Sequence, residues 1–281
     1  MEFVAEEGRQ LNSSSSTLIL PALSIGNIGQ LAVDLLIASL NAKRVGFLDE
    51  PSVLPCVGND AYGPMPEGDL AIPLEVYDAP SHGLSLIQQR SPVVKGMMIE
   101  FAKNLASCAS DMGKTHIIIL SGLDSGRRRR CDLSSNMQIH YISSASMDGS
   151  DEVCKHLGWK RLPEYSPTQK RWQYLVSLSE GNIVPDDFLS FDDELTDEDY
   201  YPSLPFAALF SCCKAKDLKV TCILSYCSEG DNIPDSFRMA EAACHLLGVR
   251  MNDIHANEPG GWHIPLSWKT VYGPPPDISL F

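Results

Sequence analysis

The sequence predicts an α/β fold in which a mainly parallel sheet is sandwiched by helices. Three observations carry this expectation. Short apolar runs recur at 18–21, 116–120 and 219–226, as in strands buried on both faces. Apolar residues at helical spacing fill 28–40, 93–112 and 234–247. Strands that alternate with helices in this order imply crossover connections between parallel neighbours.

Taken in order, the polar and serine-rich residues 2–16 lead into the first strand. The chain breaks at 24–29 and resumes as a helix with Ile28, Leu31, Leu35 and Leu36 on one side and Val33, Ile37 and Leu40 on another. That pattern predicts a core helix covered on more than one face. Gly26 and Gly29 permit unusual backbone angles or close helix-to-strand contact, and Asn27 is placed to cap the first-turn amides. The run 18–40 is interrupted by Pro21, Asn27, Gln30 and Asp34, which argues against a membrane span. Gly26-x-x-Gly29 is only part of the G-x-G-x-x-G dinucleotide fingerprint. Gly26, Asn27 and Gly29 therefore read as a structural turn, with the helix amino end open to an anion as the competing reading.

A strand at 43–48 follows, then a loop at 49–66, then a hairpin whose strands, 71–77 and 84–89, flank a turn-rich joint at 78–83 and whose edge is expected to need covering or pairing, as by a related subunit. A second helix delivers the chain to the strand 116–120, and a loop at 122–126 runs into Arg127, Arg128, Arg129 and Arg130. Loops at the carboxyl ends of parallel strands commonly hold binding sites. These arginines suit an acidic partner, a solvated basic loop or a nuclear-localisation signal. Beyond a strand at 137–143 the pattern loosens. The region of about 150–203 reads as an insertion, and its residues 186–199 carry eight acidic side chains, an exposed arm. A short helix at 204–216, a strand at 219–226, a turn at 228–232 and a helix at 234–247 with Gly248 beyond its end complete a single domain over 1–258. Residues 259–281, rich in proline, read as an extended tail.

Composition narrows the function. With 281 residues and 44% hydrophobic content the chain can bury a sizeable core. Its 22 basic and 36 acidic side chains give a net charge of −14, which disfavours nucleic acid and anionic membranes as partners. The acidic start carries no secretory signal, so a cytosolic or nuclear location is expected. The nine cysteines form no C-x-x-C pair and read as reduced thiols, with a redox-active Cys212-Cys213 pair as the lesser alternative. None of the seven histidines has the i, i+4 spacing of a helical metal pair. Ser125, in Gly122-Leu-Asp-Ser-Gly126, lacks the G-x-S-x-G spacing of a nucleophile elbow. No metal, cofactor or catalytic set is expected.

The segments LILPALSIGNIGQLAVDLLI and ILSGLDSGRRR (119–129), the helix around 239–247 and the final ISLF resemble the proteasome assembly chaperone 2 family over nearly the whole chain. The resemblance implies a sandwich of the nucleoside-phosphorylase type without enzymatic activity. It also implies a heterodimer with proteasome assembly chaperone 1 on the proteasome α-subunit ring, where the pair promotes assembly and blocks wrong association. Proteasome-docking proteins often end in a hydrophobic residue, a tyrosine and one further residue. Here Ser279, Leu280 and Phe281 lack the tyrosine but place two apolar side chains beyond a stiff Pro274-Pro275-Pro276 run. These three residues and the four arginines are the candidate partner contacts, a frayed terminus being the alternative for the former. The rival class is an α/β enzyme acting on a nucleoside or other small phosphate-bearing ligand, held at the Gly26–Gly29 turn and the arginine loop.

Overall fold

The computed structural model describes residues 1–12, 14–63, 68–127, 139–182, 204–249 and 261–270. In chain order the strands are β1 (Glu2–Ala5), β2 (Thr17–Pro21), β3 (Lys43–Asp49), β4 (Gly58–Asn59), β5 (Leu70–Ala71), β6 (Leu74–Ala79), β7 (Leu84–Gln89), β8 (His116–Asp124), β9 (His140–Ser143), β10 (Lys160–Arg161) and β11 (Lys219–Cys227). The α-helices are α1 (Ile28–Ser39), α2 (Met98–Asp111), α3 (Glu152–His156), α4 (Lys170–Ser179), α5 (Leu204–Ala215) and α6 (Ile233–Leu247). Nine strands form one sheet in the order β1-β3-β6-β7-β2-β8-β11-β9-β10. Its centre, β7-β2-β8-β11, is parallel. The β1-β3-β6-β7 flank and the β11-β9 pair are antiparallel, so the sheet is mixed around a parallel core.

Strand β8 shows why helices must lie on both faces. Ile117 and Ile119 join one apolar cluster with α2, α4 and α5, while Ile118 and Leu120 join another with α1 and α6. Side chains alternate across a strand, so an unbroken Ile-Ile-Ile-Leu run feeds two cores at once. Helix α1 is covered within its own chain, by the sheet beneath and by α6 with Trp262 and Trp268 beside it.

Four sequence expectations are corrected. The hairpin β6–β7 is no edge: β3 pairs its outer strand and β2 its inner one. Its alternating polar residues misled because Glu75, Asp78, Ser85 and Gln88 are themselves buried and hydrogen-bonded. Strand β8 runs on through Gly122, Leu123 and Asp124, since β11 pairs with it as far as Asp124. Residues 151–182 hold α3, β10 and α4, anchored by Trp172, which is buried with Tyr165 at a ring distance of 4.9 Å and Phe210 at 6.1 Å. Residues 261–270 pack on the body, with Trp262 and Trp268 buried and the His263 amide donating to Ser39 Oγ at 2.9 Å. The acidic arm 186–199 and residues 271–281 lie outside the described residues. Among the described residues no helix is long and apolar enough to cross a membrane.

Candidate functional site

The carboxyl ends of β2, β8 and β11 bring three turns together: 24–29, the residues after Asp124, and 228–232. The first turn is built by backbone geometry. Gly26 (φ 67°) and Asn27 (φ 50°) both take left-handed conformations, and the chain enters α1 from there. Asn27 makes no side-chain cap, contrary to expectation. Capping residues normally have an extended backbone that aims the side chain at the second or third helical amide, and a left-handed one does not.

The turn is locked by atoms of its own chain. The Gly122 amide donates to Ser24 Oγ at 2.8 Å, and the Cys227 thiol donates to Ile25 O at 3.3 Å. A Cβ on Gly26 would lie 2.5 Å from Asn232 Nδ2, and one on Gly29 would overlap the Leu120 carbonyl oxygen. Gly29 therefore does provide close helix-to-strand contact. Where an anion would approach Gly26, the buried Asn232 side chain already sits, its amide donating to Gly230 O at 3.0 Å.

The described side chains around the crevice pair with one another. Ser125 Oγ meets Ser228 Oγ rather than a histidine. Burial first, then Asp235 and Asp124, pushes the Cys227 thiol up to about 11, far from the thiolate a nucleophile needs. Cys212 is likewise pushed to about 11 and Cys213 to about 12 by burial, which disfavours the redox reading of that pair. Among the described residues no group of three or more histidine, cysteine or acidic side chains is arranged to hold a metal. Arg127 ends the short turn Ser125–Arg127 beside this crevice. Arg128, Arg129, Arg130, Ser279, Leu280 and Phe281 lie outside the described residues.

A second polar constellation lies under α1. Arg90 Nε meets Glu75 Oε2 at 2.6 Å, and its Nη2 meets Asp34 Oδ1 and Tyr62 OH, each at 3.1 Å. Gln88 donates to Asp34 Oδ1 at 2.6 Å, and Tyr77 OH donates to Glu75 Oε2 at 3.2 Å. The sequence signals were Asp34 inside an apolar helix and Glu75 inside a strand, both readable as solvent-facing. The network ties α1 to β6 and β7.

His116 supplies a pH handle of the scaffold. Burial, with Lys219 adding repulsion, lowers its imidazole from 6.5 to about 4, and Nε2 lies 3.0 Å from Thr221 Oγ1. A depressed folded value means that its stabilisation is complete above pH 6.5 and is lost as pH falls toward 4. After a discount for partial exposure, this should cost about 1–2 kcal/mol across that window. Urea titrations at several pH values check it, and His116→Gln should flatten the acid slope.

Comparisons with known proteins match the crevice and the sheet together. Residues 18–257 match the PAC2 family. Proteasome assembly chaperone 2 of Xenopus laevis is 30% identical over 282 residues, covering 96% of each chain. The Homo sapiens protein of the same name is 30% identical over 273 residues, covering 94% of each. Among solved structures, Pyrococcus furiosus PbaA, an archaeal homolog of proteasome-assembly chaperone, superposes with a TM-score of 0.57 at 16% identity, over 89% of this chain and 86% of its own. Pyrococcus furiosus PbaB, an archaeal proteasome activator, gives 0.52 at 14% identity over 89% of both chains. These two likenesses bear on the fold alone. The match to the family spans the parallel centre of the sheet and all three turns of the crevice, and the chain belongs to the PAC2 family.

Proposed function

We propose that this chain is a non-enzymatic chaperone of 20S proteasome assembly. It works as a heterodimer with a proteasome assembly chaperone 1-like subunit on the α-subunit ring, in the cytosol and nucleus. The observation that carries the reading is similarity to proteins named proteasome assembly chaperone 2 along 94–96% of both chains. The closed crevice supports it, because the nucleoside or phosphate ligand of the rival enzyme reading would need the space that Asn232 fills. A nucleoside-phosphorylase-type layering belongs to the same proposal, as a scaffold without that chemistry.

The reason for a partner is not an uncovered hairpin or an uncovered α1, since both are covered within the chain. Contacts through the arginine loop and the C-terminal residues remain the proposed route. Co-expression with a chaperone 1-like subunit should give a one-to-one heterodimer in sedimentation that captures α-ring intermediates. Deleting Ser279, Leu280 and Phe281 should weaken that capture and leave the heterodimer intact, because two buried apolar side chains contribute roughly 1.5–3 kcal/mol each. A monomer without affinity for the subunit overturns the heterodimer, and a co-purifying nucleotide overturns the non-enzymatic reading. Capture at full strength by the shortened chain removes the tail from docking.

A further inference from the structure

The basic stretch 160–171 has no part in the crevice or in the proposed docking route. Lys160, Arg161, Lys170 and Arg171 stand in it against one acid, Glu164. That carboxylate is buried and accepts from Tyr226 OH at 3.3 Å. In a chain of net charge −14 this is a locally cationic turn. Ser166 lies in its middle, followed by Pro167. A serine or threonine precedes a proline only twice in the sequence, at Ser91 and Ser166. Ser91 is buried at 4% exposure. Ser166 is half-buried with Pro167 and Thr168 exposed beside it, and its Oγ meets Thr168 Oγ1 at 2.8 Å in an exposed contact.

Arg161 is already aimed at this turn. Its Nη1 donates to Tyr165 O and to Asp148 O, each at 3.0 Å, which fixes the guanidinium one residue from Ser166. Its Nε and Nη2 have no hydrogen-bond partner among the described residues. A guanidinium held at one nitrogen with its other edge open suits a two-bond grip on a phosphate. The Gln169 amide donates to Ser166 O at 3.1 Å and closes the turn, so that the exposed Lys170 follows directly.

We propose that Ser166 is a phosphorylation site for a proline-directed serine/threonine kinase and that Arg161 captures the phosphate, pinning the turn 162–169 to β10. The kinase reads the serine by the proline after it. The γ-phosphoryl group of ATP passes to Ser166 Oγ. The bond from the γ-phosphorus to its bridging oxygen breaks, ADP leaves with the electron pair, and the serine proton goes to the kinase's catalytic base. The product carries about two negative charges and three acceptor oxygens, which the Arg161 fork and the Lys170 ammonium take up. The proposal stands independently of the proteasome reading.

The test incubates the full chain with a mitogen-activated protein kinase and ATP and places the phosphate by peptide mass mapping. Ser166 should be filled, and Ser166→Ala should abolish incorporation. Phosphorus NMR then follows the second ionisation of the bound phosphate. It should titrate about half a pH unit lower in the parent than in Arg161→Gln, a modest difference because the Asp148 carboxylate also acts on Arg161. Arg161→Lys should fall between the two, with melting temperatures showing that both variants fold. No incorporation, or incorporation that survives Ser166→Ala, overturns the site. Phosphate found at Ser91 as often as at Ser166 means that the kinase read an unfolded chain, and overturns it too. Equal titration in the parent and Arg161→Gln overturns capture by Arg161.

Discussion

Replacing Gly29 by valine should lower stability by about 3 kcal/mol, the upper end of the usual cost of overpacking. The helix approaches the sheet so closely at this point that any Cβ overlaps the Leu120 carbonyl oxygen, and Pro21 Cβ lies 3.3 Å away on the other side. Neither neighbour can yield as a flexible side chain would. The Leu120 carbonyl already accepts from the Ala22 amide at 2.8 Å, so pushing α1 outward strains the β2–β8 junction at the middle of the parallel core. A chain of this size should lose about 5–10 °C in melting temperature. Gly83→Ala is the control. Gly83, unlike Gly29, has a left-handed backbone (φ 64°) and has nothing within 4 Å of its Cβ position, so it should cost only the roughly 1–2 kcal/mol of local strain. If the Gly29 variant melts like the parent, the close contact does not exist in solution.

That glycine was legible in the sequence, and the reason is instructive. A strand, a glycine turn and a two-sided apolar helix can be satisfied only by tight packing, so sterics alone pointed to residues 24–29. The parallel strands and the helices α1, α2, α5 and α6 were legible for a similar reason, since each shows the period of its own element. Periodicity failed where burial is polar. Glu75, Asp78, Ser85 and Gln88 look like the solvent face of an edge hairpin, yet all are buried, and only their partners on other segments explain it. Arg90 and Tyr62 come from loops, and no local pattern couples them to Asp34 on a helix. Trp172 was hidden among prolines and basic residues, although its aromatic contacts with Tyr165 and Phe210 fix the whole segment.

Arg90→Leu should be among the most destabilising single substitutions in the chain, at about 3–5 kcal/mol, because it strips the buried Asp34 carboxylate of its cation and leaves the buried Glu75 carboxylate only Arg44, at 3.5 Å. Glu75 is 1% exposed and Asp34 7%, and the guanidinium bridges both while lying over the Tyr62 ring at 5.7 Å. Burial already raises the Glu75 carboxyl above 4.5, opposed by Arg90, the Ile72 amide and Arg44. Without Arg90 the largest opposing charge is gone, and the carboxyl rises further. A folded value raised above the unfolded one means a contribution present at low pH and lost as pH rises through the folded value. The deficit of the variant relative to the parent should therefore be smaller near about pH 5 than near about pH 8, and the His116 contribution, common to both proteins, cancels from that difference. Glu75→Gln in the Arg90→Leu background should recover part of the loss, since it removes the uncompensated charge while its one carbonyl oxygen keeps an acceptor for the Ile72 amide and its NH2 can donate to the Tyr77 oxygen. Denaturant melts of the parent, both single variants and the double variant at the two pH values measure the coupling. A deficit independent of pH, with strictly additive substitutions, would mean that Glu75 and Arg90 are each solvated separately and that the network does not hold α1 to the hairpin.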